Sequence, residues 1–165
     1  MKLYSALLFV LSATVGFAQD GTVVRWSKIN GVVTAPGIDN PVGGIDSGAG
    51  PWTTTQGSAR VNFRSGSVFF FVDGLVLASG NSIGTPGPVA SVIGTLVCNA
   101  GSTGTPGQQV LDTPAVPLSA EGNAQFSGTF PSIPTCNKPI FLLRAGTKWI
   151  AAGAVPTTSS TNDDN

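Results

Sequence analysis

Apolar residues recur along this chain in short blocks or in alternation with polar ones, and glycine, proline, asparagine and serine separate the blocks. No long stretch places apolar residues at i, i+3, i+4 and i+7 without glycine or proline intervening, so the pattern predicts strands and no long helix. Many short strands between turns predict an all-β fold. The expected architecture is a single antiparallel β-sandwich of about seven to nine short strands, with a β-barrel as the alternative.

Residues 22–33 predict the first strand, with Val23, Val24, Trp26 and Ile29 as its apolar content. Residues 34–57 are rich in turn formers, among them Pro36, Gly37, Gly43, Gly44, Gly50 and Pro51, and predict a long irregular connection with room for one short strand. Residues 58–64 alternate Ala59, Val61 and Phe63 against Arg60, Asn62 and Arg64, which predicts a half-buried strand with one wet face. That wet face is a candidate contact for a polar or anionic partner, although such rows are more often simply solvated. The unbroken apolar run 68–72 predicts a strand covered on both faces. Asp73-Gly74, followed by Leu75, Val76 and Leu77, predicts a type I′ hairpin in preference to one long strand bulged at Gly74. Residues 89–98 and 123–130 predict further strands, and 140–144 with 149–155 predict a closing hairpin over Gly146-Thr147. Pro114 and Pro117 keep 110–118 out of a central ladder. The expected core is Val61, Phe63, the 68–72 run, Leu96, Phe126, Phe141 and Leu143.

The two ends of the chain change this picture. Met1-Lys2, an apolar stretch to Val15, and the small residues Gly16 and Ala18 form the pattern of a secretory signal peptide over residues 1–18. The β-domain is then expected over 19–155 and a disordered polar tail over 156–165. An exported chain with two cysteines predicts one disulfide, Cys98 to Cys136. The expected location is secreted and extracellular. Charged residues make up 10% of the chain and the formal net charge is zero. Without a basic run, nucleic acid is not an expected partner. Without another apolar stretch of the ~20 residues a spanning helix needs, membrane insertion is not expected either.

Candidate chemistry is sparse. The chain has no histidine, and Tyr4 and Met1 are its only tyrosine and methionine. Ser-His-Asp hydrolysis and histidine-bound zinc or copper are therefore excluded, and no catalytic site is assigned. No cofactor is expected, with one candidate exception. Asp39 and Asp46, in a loop with Asn40 and Ser47, offer oxygen ligands of the kind calcium takes. Trp52 lies beside Thr53 and Thr54 in a glycine- and proline-rich loop, where an exposed indole among hydroxyls offers a stacking surface for a sugar. The function expected from this is a secreted, non-catalytic extracellular protein that binds a glycan or a surface, with an extracellular glycan or protein as partner. A self-associating wall or matrix component is one alternative. The other is a glycan hydrolase using two of Asp39, Asp46, Asp73, Asp112 and Glu121.

Overall fold

The computed structural model describes residues 22–35 and 37–160. The expected signal peptide and residues 161–165 of the expected tail lie outside the described residues. Strands account for all the regular structure of the described residues, as the patterning predicts. They are β1 (Thr22–Gly31), β2 (Trp52–Thr53), β3 (Gln56–Asn62), β4 (Ser67–Asp73), β5 (Val76–Leu77), β6 (Ser91–Cys98), β7 (Gln109–Asp112), β8 (Val116–Pro117), β9 (Ala124–Thr129), β10 (Ile140–Ala145) and β11 (Lys148–Ser160). The main sheet runs β7-β6-β10-β11-β1-β3-β4-β9, while β2 and β5 form a separate pair. All these pairings are antiparallel.

The main sheet is strongly curled, a half-barrel that closes over its own apolar face. Trp26, Phe70 and Phe141 come from β1, β4 and β10 and meet inside it. The rings of Trp26 and Phe141 lie 5.5 Å apart and those of Phe70 and Phe141 5.7 Å apart. Gly94 on β6 faces these rings, where no side chain fits. Val61, Val68, Val72, Leu96 and Leu143 are buried with them. Phe63 and Phe126 are half-buried at the margin of this core.

The edge beyond β6 shows how proline shapes the ladder. β7 and β8 run in succession along β6, interrupted by Pro114. At the gap, Gly94 N–H donates to Thr113 Oγ1 at 2.9 Å, and Thr113 N–H donates to Gly94 O at 2.8 Å. The threonine hydroxyl thus stands in for a backbone acceptor. A short turn then carries the chain from β8 to β9 at the opposite end of the sheet order, with Ser119 N–H donating to Asn123 O at 3.0 Å.

Cys98 and Cys136 form the expected disulfide, with Cα atoms 4.7 Å apart. No helix of the described residues is long and apolar enough to cross a membrane.

Three expectations change. The 68–72 run is not covered on both faces: Val68, Phe70 and Val72 are buried, but Phe69 and Phe71 are half-exposed on the outer side. Asp73-Gly74 does not turn a hairpin, because both edges of β4 are already taken by β3 and β9. Gly74 has φ 62° and steers the chain out of the sheet, so that Leu75 is buried and β5 pairs with β2. The ordered chain also extends past residue 155. Residues 156–160 continue β11 alongside Thr22 to Trp26, their backbone supplying ladder partners although they bring no apolar anchor.

Candidate functional site

Trp52 is not an exposed platform. It is 6% exposed and belongs to the core, with its N–H bonded to Val32 O at 2.8 Å and Leu77 opposite it across the β2–β5 pair. Thr53 is exposed, whereas Thr54 is half-buried and donates to Ile29 O at 2.7 Å. Trp52 pairs with the 75–77 segment, which the sequence pattern assigns to a hairpin with β4.

Asp39 and Asp46 do come together, around a lysine. Lys148 Nζ lies 3.0 Å from Asp46 and 3.7 Å from Asp39. The hydrogen bond that Lys148 donates to Asp46, with the charges of both aspartates, raises the Lys148 pKa above its usual value. The two carboxylates thus share the Lys148 ammonium. The same loop is tied to β11 by Trp149, whose Nε1 donates to Asn40 O at 2.8 Å and whose backbone N–H donates to Asp46 O at 2.9 Å. Among the described residues no cluster of three or more His, Cys, Asp or Glu side chains could hold a metal.

The other three acids also have protein partners. Asp73 accepts from Gln56 Nε2. Asp112 accepts from Thr95 Oγ1 at 2.7 Å and from Arg144 at 2.6 Å. The Ser119 hydroxyl beside Glu121 holds its carboxyl below the usual range.

The site with the most unused chemistry is the outer face of β1, β3, β4 and β9. Strand alternation sends Val61, Val68 and Phe70 inward and their neighbours outward. The register then aligns the outward residues in rows across the sheet. One row is Arg25, Arg60, Phe69 and Ser127, each directly opposite the next. The adjacent row is Ser58, Phe71 and Gln125. The Phe69 and Phe71 rings are 6.3 Å apart and inclined at 50°. The Arg60 guanidinium carbon lies 5.0 Å from the Phe69 ring centre, within cation–π range.

Concavities flank these rows. A cleft of about 220 Å3 is lined by Arg25, Arg60, Asn62, Ser67, Phe69 and Ser127 among others. A second, of about 260 Å3, lies on the other side of Arg60 and takes in Ser27, Ser58 and Thr157. A third, of about 360 Å3, borders Phe71 and Gln125. Among the described residues neither Arg25 nor Arg60 has a carboxylate within ion-pair distance.

Of these residues the alternation at 58–64 singles out Arg60 and Asn62. Arg64, assigned to the same face, lies beyond the end of β3, its N–H bonded to Asn62 Oδ1. Arg25, Phe69 and Phe71 escape sequence reasoning. A continuous apolar run does not reveal which of its faces is left open, and the pairing of Arg25 with Arg60 is a matter of register.

The fold and this face define an all-β, disulfide-bonded protein with an open aromatic and basic sheet surface. Comparisons with protein-family models, with curated proteins and with solved structures give no match.

Proposed function

We propose that this is a secreted, non-catalytic extracellular protein that binds glycan on the outer face of β1, β3, β4 and β9. The observation that carries the reading is the pairing of two half-exposed phenylalanines, in adjacent rows, with arginine, serine, glutamine and asparagine side chains on either side. A pyranose ring has a flat C–H face and a rim of hydroxyls. Phenyl rings cover the first, and guanidinium, amide and hydroxyl groups bond the second. The signal-peptide pattern and the disulfide are what an exported chain would carry.

The test is a glycan array, with pull-downs on insoluble polysaccharides, using oxidised residues 19–165. Phe69→Ala and Phe71→Ala are assayed alongside, each checked for an unchanged fold by circular dichroism. The expected result is reproducible glycan binding that each substitution weakens about tenfold. Binding that survives both substitutions at full strength would place the site elsewhere. Absence of binding to every soluble and insoluble glycan would end the reading.

A further inference from the structure

We infer that the glycan taken by this face is acidic, with a carboxylate or sulfate group held between Arg25 and Arg60; this rests on the glycan reading above. The two arginines are directly opposed across β1 and β3, an arrangement that costs stability when no anion lies between them. Protein carboxylates do not meet that need among the described residues. The four strands of the face carry Arg25, Lys28 and Arg60 against one acid, Asp73, which lies at the far end of the face bonded to Gln56. The chain as a whole has a formal charge of zero, so this excess of positive charge is local.

Geometry favours an oxyanion over a diffuse counterion. Arg60 lies over the Phe69 ring, which restrains the guanidinium. A guanidinium presents a fork of N–H donors that matches two oxygens of a carboxylate or a sulfate. Asn62, Ser67 and Ser127 line the same cleft of about 220 Å3 and can bond the remaining oxygens or neighbouring hydroxyls. Phe71, one row along, is then placed to cover the next ring of the chain. A uronic acid and a sulfate ester share this chemistry.

Isothermal titration of oxidised residues 19–165 with polygalacturonate, dextran sulfate, neutral dextran and polyglutamate tests the inference. Arg25→Gln, Arg60→Gln and Lys138→Gln are titrated alongside, the last removing one positive charge from a loop remote from this face. An acidic glycan is expected to bind at least about tenfold tighter than dextran, and each arginine substitution to weaken it about tenfold. Lys138→Gln is expected to change nothing, and added salt to weaken binding. Whichever acidic polymer binds more tightly identifies the anion as carboxylate or sulfate. Dextran binding as tight as that of the acidic glycans, and indifferent to both arginine substitutions, would overturn the acidic assignment and leave the glycan reading standing. Equal weakening by Lys138→Gln, or polyglutamate binding as tightly as polygalacturonate, would reduce the effect to general charge and overturn it. Silence from every polymer would overturn the acidic assignment, while the glycan array separately decides the glycan reading.

Discussion

At Gly94 a single added β-carbon would stand 2.6 Å from Phe70 Cε1 and 3.0 Å from Phe141 Cζ. Both rings are fully buried and have no room to withdraw. Gly94→Ala is therefore expected to destabilise the protein by about 1–3 kcal/mol, read as a lower urea midpoint at unchanged slope. Arg25 presents the opposite case. It faces Arg60 across the ladder, so Arg25→Gln removes a like-charge contact. Thermal denaturation should show a gain of roughly 0.2–1 kcal/mol. A protein made more stable by the change that weakens its ligand would mark these arginines as kept for binding. Lys148 adds a pH dependence. Its pKa is raised above the usual 10.5 by the Asp46 hydrogen bond and the neighbouring charges, so its pairing is complete below pH 10.5 and is lost as pH climbs through the raised value. Wild type is expected to melt above Lys148→Met at neutral pH, and the gap to close at alkaline pH beyond 10.5. A gap that persists there would mean the lysine acts through its hydrocarbon stem.

Single strands show why local patterning succeeds in some places and fails in others. β3 reads directly from its alternation, because one of its faces is buried and the other wet. The hairpin of β10 and β11 reads equally well, its two strands being adjacent in sequence and in space. β4 is harder. Its composition is the same whether Phe69 and Phe71 are covered or open, and among the described residues they are left half-exposed. The last residues of β11 mislead in the other direction. A polar segment has little apolar surface to bury, yet its backbone completes the ladder of β1. Ending the chain after Val155 is therefore expected to speed hydrogen exchange of those Thr22 to Trp26 amides that face β11, while β10 stays protected. Unchanged exchange in β1 would show that 156–160 add nothing to its stability.

Across the whole molecule, the disulfide joins the end of β6 to the segment leading into β10, two strands that already pair through Val97 and Ile140. It closes a loop with a sequence separation of 38. By loop entropy, the double change Cys98→Ala with Cys136→Ala is expected to cost about 4 kcal/mol, measured as the difference in urea unfolding between the oxidised wild type and the variant. The turn from β8 into β9 does the corresponding noncovalent work, carrying the chain from the β6 edge to the far end of the sheet order so that the sheet curls over one apolar face. The curl also explains why the outer face is a single open surface. Its rows of side chains come from three separate parts of the sequence: β1, the adjacent strands β3 and β4, and β9.

The amino-acid sequence alone determined the all-β class, most of the strands, the disulfide and the absence of histidine chemistry. Each of these depends on local pattern or on composition, and neither requires knowing which strand neighbours which. Tertiary structure decided the rest. It buried Trp52 within the core, set Lys148 between Asp39 and Asp46, and aligned Arg25, Arg60 and Phe69 in one row. These placements follow from long-range register and from the curl of the sheet. Antiparallel pairing joins residues separated by tens of positions, and a shift of one residue would send every one of these side chains to the other face.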